Sequence, residues 1–312
     1  QGKLKKAIEA YSKALKLKPS YTTAYYNMGN ALKKQGKFDK AIKAYRNALS
    51  LKPDLSAAYN NTGNIFKDQG KEEEAIEAYS KALSLKPDHV VARSHRFYLQ
   101  ASICDWKAVE EDRSLLPELG IAGDAISPFS VLALEDAPER HRLRSEKYAR
   151  EHFPVKSTKQ FERPSRMPKR LRIGYFSADF KEHPASYLMF KIIECHDRSL
   201  FDVYGYSIGQ PKLDKMREKI SGAFDVFKDI HSSSDIEALK TIHNDKIDIA
   251  IDLTGYTKNS RTALFSSQLA PVQINYLGYP GTLGADFIDY IVADQNLMPE
   301  AFQEFYIEKP IY

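Results

Sequence analysis

The sequence predicts an α-helical solenoid followed by an α/β lobe built on a parallel sheet. Two observations predict it. The same residue types return every 34 positions through the first 90 residues, and from Leu171 onward short β-rich runs alternate with helical ones. Length bounds the answer: 312 residues with 43% hydrophobic content suit two or three globular domains.

The repeat comes first in the chain. Gly2, Gly36 and Gly70 keep one phase, as do Ala7, Ala41 and Ala75, then Tyr11, Tyr45 and Tyr79, then Ala14, Ala48 and Ala82, then Pro19, Pro53 and Pro87. Tyr25 and Tyr59, Asn27 and Asn61, Gly29 and Gly63, and Asn30 and Asn64 add four more series. A 34-residue period of small and aromatic residues describes two helices that bury their apolar face only by stacking on neighbours. Five helices are expected over residues 2–89. Gly29 and Gly63 mark close helix crossings, with Ala41 and Ala75 facing them. Tyr45 and Tyr79 are expected to fill the gap to the next repeat. Gly36 and Gly70 end the first helix in a left-handed residue, and Pro53 and Pro87 end the second. The pattern resembles the tetratricopeptide repeat. Gln1 enters inside a repeat, so a longer array is expected.

Net charge is +5, unevenly spread. Residues 1–100 carry 19 Lys and Arg against 9 Asp and Glu, and the rest carries 27 against 32. Lys33, Lys34, Lys37 and Lys40 fall between the core series and read as a solvated face. No aromatic-basic interleaving marks a nucleic-acid site, so no nucleic-acid partner is expected. No apolar run approaches the roughly 20 residues of a membrane span, and no charged-then-apolar leader opens the chain. The reading is cytoplasmic, with the nucleus added in a eukaryote. Cys104 and Cys195 lack metal-ligand spacing and read as buried free thiols.

After residue 90 the pattern lapses. Arg93 and Phe97 stand where Tyr and Gly are expected, while Leu99, Ile103, Trp106 and Val109 keep helical spacing. The array with its modified last helices is assigned to residues 1–118. A connecting segment follows over 119–169, with an apolar patch at 129–134, a charged helix near 138–153 and a polar, proline-bearing linker over 154–169.

The lobe spans 170–312. Strands are expected at 171–176, 202–207, 225–229, 247–253, 272–277 and 288–293, with helices at 185–196, 212–222, 235–244 and 260–268. Strands joined by helices of this length imply a Rossmann-like parallel sheet whose strand ends carry the site. The first strand runs into Asp179, His183 and Pro184. An imidazole there suits general-base chemistry, with Asp179 orienting it or relaying its proton. The fourth strand leads to Tyr256, and the fifth to Leu277, Gly278, Tyr279, Pro280, Gly281 and Thr282. Backbone N–H groups in so small-residued a loop would let a sugar or phosphate approach. There is no GxGxxG fingerprint and no P-loop.

In that order, the segments 170–184, 275–282 and 289–295 resemble the catalytic region of the protein O-GlcNAc transferases, a family that includes the plant SPINDLY proteins. Cys104, Asp105 and Trp106 resemble the family's junction after the repeats. The resemblance implies a two-lobed GT-B glycosyltransferase of which this lobe is the first. It implies inverting transfer from UDP-GlcNAc to Ser or Thr of proteins, with no metal and no cofactor beyond the donor. His183 becomes base or sugar contact, and Asp179 a proton acceptor. Pro184, Tyr256 and Leu277–Thr282 line the sugar pocket. Asn27 and Asn61 resemble a ladder on a concave face that holds the acceptor backbone, since an amide both donates and accepts. Two positions depart: Ala185 replaces a Thr of animal members, and Phe129 a linker His. A second lobe is expected beyond Tyr312, so a chain of these residues alone is expected to be inactive. A SPINDLY-like fucosyltransferase, another nucleotide-sugar transferase and a non-catalytic repeat scaffold are the alternatives.

Overall fold

The computed structural model describes residues 2–155 and 169–312. Two compact units divide after Ile126. The first holds the five helices expected over 2–89: α1 (Gly2–Leu17), α2 (Thr22–Lys34), α3 (Phe38–Leu51), α4 (Ser56–Asp68) and α5 (Glu72–Leu85). Next come α6 (Val90–Ser102) and α7 (Trp106–Glu111).

Gly36 and Gly70 both have φ +71°, the left-handed turn that ends a helix. A Cβ on Gly29 would stand 2.5 Å from the Tyr45 ring, and one on Gly63 2.7 Å from Tyr79. The two tyrosines therefore pack inside their own helix pair, not in the gap to the next repeat. Each hydroxyl donates within the same pair at 2.7 Å, to Asn30 Oδ1 and Asn64 Oδ1. The glycines are small because an aromatic ring occupies the space beside them.

Past residue 90 the altered residues have visible work. Phe97, in the phase of the two glycines, is fully buried. Arg93 and Arg96 both pair with Asp112, tying α6 to the segment after α7. Leu99 and Val109 are buried, but Ile103 and Trp106 are exposed. The chain turns between them at Cys104, with φ +60°. Both cysteines are exposed free thiols, where buried ones were expected.

The second unit contains α8 (Pro138–His152) and seven strands: β1 (Leu171–Ser177), β2 (Phe201–Ser207), β3 (Val226–Asp229), β4 (Ile249–Asp252), β5 (Val272–Tyr276), β6 (Tyr290–Val292) and β7 (Lys309–Ile311). Between them lie α9 (Pro184–Glu194), α10 (Lys215–Gly222), α11 (Asp235–Asp245) and α12 (Thr262–Phe265). Every pairing is parallel, in the order β3-β2-β1-β4-β5-β6-β7. Alternation sends Ile173, Val203, Ile251 and Ile274 to one apolar layer, and Phe176, Tyr206 and Ala250 to the other. A sheet buried on both faces needs such runs. Asp214 and Ser234 cap α10 and α11, the latter in a capping box with Glu237.

The expected connecting segment 119–169 is not a separate piece. Residues up to Ile126 stay with the repeats, and α8 belongs to the lobe. Arg144 is fully buried on an ion pair with Glu135. Burial opposes the Glu135 charge, yet Arg140 and Arg144 hold its carboxyl below the usual range. The Tyr148 ring lies edge-on to Tyr256 at 5.0 Å. Gly284, with φ +60°, packs so tightly on the α8 backbone at Ser145 and Glu146 that a Cβ would overlap it. Of the expected linker over 154–169, residues 156–168 lie outside the described residues.

Candidate functional site

The strand order reverses at β1, which lies between β2 and β4. Loops leaving the carboxyl ends of neighbouring strands on either side of such a point diverge and leave a crevice. Here the loops after β1 and β4 are joined across it: the Ala178 N–H donates to Thr254 Oγ1 at 3.2 Å. Thr254 is buried, in a turn set by Asp252, whose Oδ1 accepts the N–H groups of Thr254 and Gly255 at 2.8 and 3.1 Å. Burial pushes the Asp252 carboxyl up to about 6, against the pull of those two donors.

The β1 loop is tightly built. The Asp179 N–H donates to Ser177 Oγ at 3.0 Å, and Ser186 Oγ donates to the Asp179 carbonyl at 2.6 Å. Its carboxylate meets two cations or potential cations. Lys181 Nζ lies 3.2 Å from Oδ1, and His183 Nε2 lies 4.0 Å from Oδ2. His183 caps α9, its Nδ1 accepting the Ala185 N–H at 3.2 Å, with Pro184 at the first helical position. With Nδ1 used as an acceptor, the proton of the neutral ring sits on Nε2. His183 thus presents a donor toward Asp179, and the free lone pairs of the loop are on the carboxylate.

The β5 loop lies against the β4 loop. Leu277 has φ +66°, a strained value for a branched side chain. A Cβ on Gly278 would overlap the Leu253 carbonyl, so only glycine passes there. Leu277, Tyr279 and Pro280 line a cavity of about 460 Å³ with Ile291, Asp294 and Met298, at the carboxyl ends of β5 and β6. Asp179 and His183 do not line it. The expected residues share one sheet edge, therefore, but not one cavity.

Several of the expected pocket residues are held inside the lobe. Tyr256 is buried and donates its hydroxyl to the Leu283 carbonyl at 2.6 Å. Tyr279 is buried between Tyr256 and Phe129. Thr282 is buried and donates Oγ1 to Glu308 Oε2 at 2.5 Å, while the Leu283 N–H donates to Oε1 at 2.6 Å. Gly281 sits beside the Tyr279 ring. Leu277, Pro280 and Pro184 are exposed. Lys181, Thr254 and Glu308 were not singled out from sequence. Lys181 had a signal, lying two residues from both Asp179 and His183; a lone Glu before a short strand had none. Among the described residues, no three His, Cys, Asp or Glu side chains are grouped to hold a metal ion, and no helix is long and apolar enough to cross a membrane.

Stacked helix pairs ahead of a Rossmann-type lobe, with its chemistry-bearing loops joined where the strand order reverses, define a repeat-bearing glycosyltransferase lobe. The chain belongs to glycosyl transferase family 41, whose profile matches residues 142–312. Tetratricopeptide-repeat profiles match residues 1–36, 22–55 and 56–89. The probable UDP-N-acetylglucosamine–peptide N-acetylglucosaminyltransferase SEC of Arabidopsis thaliana is 35% identical over 199 residues, 60% of this chain and 20% of that protein. The Caenorhabditis elegans UDP-N-acetylglucosamine–peptide N-acetylglucosaminyltransferase is 39% identical over 144 residues, 46% of this chain and 12% of that one. A probable enzyme of the same description, SPINDLY of Arabidopsis thaliana, is 30% identical over 174 residues, covering 55% and 19%. A mutant form of the Thermobaculum terrenum O-GlcNAc transferase superposes with a TM-score of 0.58 and 28% identity, covering 97% of this chain and 53% of that structure. The chain spans a fifth or less of these sequence relatives and about half of the solved structure.

Proposed function

We propose that the protein carrying this chain transfers N-acetylglucosamine from UDP-GlcNAc to Ser and Thr hydroxyls of proteins, with the repeats holding the acceptor. The observation that carries this reading is the pair of loops joined at the strand-order reversal, with Asp179 and His183 side by side in the first of them, in a chain of family 41. The acceptor oxygen attacks the anomeric carbon in line. The bond from that carbon to the diphosphate oxygen breaks, and UDP leaves with the electron pair. Asp179 takes the hydroxyl proton, since its oxygens hold the free lone pairs of the loop. His183 donates from Nε2 to a sugar or acceptor oxygen. Lys181 holds the Asp179 carboxylate in place. Preorganised groups of this kind act by position and charge. Following the family resemblance, the proposal takes no metal and no cofactor beyond the donor, and a cytoplasmic setting, nuclear as well in a eukaryote.

The test uses the full-length protein, an acceptor polypeptide, and labelled UDP-GlcNAc and GDP-fucose in parallel. Label is expected from UDP-GlcNAc. Label from GDP-fucose alone overturns the donor, and none from either, with the fold intact, leaves a repeat scaffold. His183→Ala and Asp179→Asn should each lower kcat by about 10²–10⁴; Asp179→Asn should leave the melting temperature nearly unchanged, and His183→Ala should lower it by the few degrees that the lost α9 cap accounts for. Near-normal turnover in either variant removes that residue from the mechanism.

A further inference from the structure

The first helices of the repeats carry two rows in phase: Asn27, Asn61 and His95, and Lys33 with Lys67. On this face Lys33 Nζ donates to Asn61 Oδ1 at 3.2 Å. Asn61 Nδ2 donates to the Tyr26 hydroxyl at 3.1 Å and to Asn30 Oδ1 at 3.0 Å. Both amide hydrogens and the carbonyl of Asn61 are therefore engaged within the array, and the amide is not free to grip a passing peptide unit. Lys33 has donors to spare, since an ammonium carries three and one is used.

Lys33 is also not the solvated lysine expected from its spacing. It is half-buried, and burial pushes its ammonium below the usual lysine range, with Lys34 adding to the fall and Asp68 opposing it from a distance. Among the described residues no carboxylate lies within ion-pair distance of it. A cation taken partly out of water with no carboxylate in contact is stabilised by an anion that reaches it. The whole array adds to the attraction, with 19 Lys and Arg against 9 Asp and Glu over residues 1–100. Lys67 repeats the position 34 residues on, beside His95, whose pKa falls to about 3 through burial and then through Lys67. A neutral His95 adds no charge of its own near neutral pH.

We propose that this face recognises acidic stretches of polypeptide, with Lys33 as the anion contact. The inference rests on the proposed function only in taking the occupant to be polypeptide. Charge complementarity gives selection and rate more than raw affinity.

The test is fluorescence anisotropy on the chain 1–312 with a labelled Glu-rich decapeptide, its Gln counterpart and a single-stranded oligonucleotide of equal charge. The Glu peptide should bind at least tenfold tighter than the Gln peptide. Lys33→Met should weaken it about tenfold, Lys33→Arg should restore most of that, and Lys34→Met, at an exposed neighbour, should change nothing. Equal binding of Glu and Gln peptides overturns the proposal, as does equal loss in the Lys33 and Lys34 variants, which marks diffuse charge. An oligonucleotide bound as tightly, through Lys33, makes the partner a nucleic acid and also overturns it. No donor sugar is needed. Transfer to neutral and acidic acceptors alike sinks this inference and leaves the transferase standing. Lys33-dependent peptide binding by a protein without transfer activity does the reverse.

Discussion

Asp252 is the residue whose environment conflicts most with its charge. It is fully buried at the end of β4, and its pKa stands at about 6 against an ordinary 3.8. Between these values the folded chain holds a proton that the unfolded chain has released. Stability therefore falls as pH rises through that window, and the whole cost is present above about pH 6. The gap corresponds to about 3 kcal/mol. Asp252→Asn keeps the Oδ1 acceptor for Thr254 and Gly255 and removes the charge. Urea melts should show the variant more stable than the parent by about 2 kcal/mol at pH 7.5, with no advantage at pH 4. Glu308, also raised by burial, is common to both proteins and drops out of the difference. An advantage unchanged between the two pH values would show that this carboxyl is not the titrating group. Residue types were easier to read from sequence than residue surroundings. Asp179 and His183 do lie together, because four positions in one tight loop leave little choice. Tyr256 and Tyr279 sit in glycine-rich loops and read as pocket walls; both rings are buried, and of the two Tyr279 alone also borders the cavity beyond β5 and β6. Nothing local distinguishes an aromatic that covers a ligand from one that covers the loop itself.

At the scale of the element, the helix pairs were legible because they repeat, and one consequence is testable. Gly63→Ala forces its new methyl against the Tyr79 ring and should destabilise the array by roughly 2–3 kcal/mol. Tyr79→Leu made in the Gly63→Ala background should cost less than in the parent, since the two share one space. Strictly additive effects in urea melts would contradict that packing. The six strands read as β-rich runs were found, the inner ones because a sheet covered on both faces needs apolar residues there. β7 was missed: three residues with Pro310 in the middle give no periodic signal, and proline is tolerated there because the strand is the sheet edge. α8 was placed in a connector because its composition is charged throughout. Its buried side carries Arg144, Ser145 and Ala149, and the partner of Arg144, Glu135, is visible only in three dimensions.

Over the whole molecule, the site depends on contacts between loops far apart in sequence. Parallel topology brings the ends of β1, β4 and β5 to one edge, and this much followed from the order of strands and helices. The hydrogen bonds that join the loops did not follow, since each depends on the register of neighbouring strands. Thr282→Val tests one of them at nearly constant volume. It removes the hydroxyl that donates to the buried Glu308 carboxylate and accepts the Gly284 and Ile307 N–H groups, and should cost about 2 kcal/mol in urea melts at pH 7.5. An unchanged midpoint would show that the loop does not rely on this bond.

Glu308 gives that loop an unusual dependence. The residue immediately precedes β7, yet it receives the Leu283 amide proton from 25 positions back in the chain. In heavy water the Leu283 amide should then exchange at the pace at which the edge strand detaches, not at the pace of local loop motion. Its protection should rise and fall with the amides of Lys309 and Ile311. Whatever covers the open side of β7 lengthens the lifetime of the Leu277–Thr282 turn, and whatever peels that strand away shortens it.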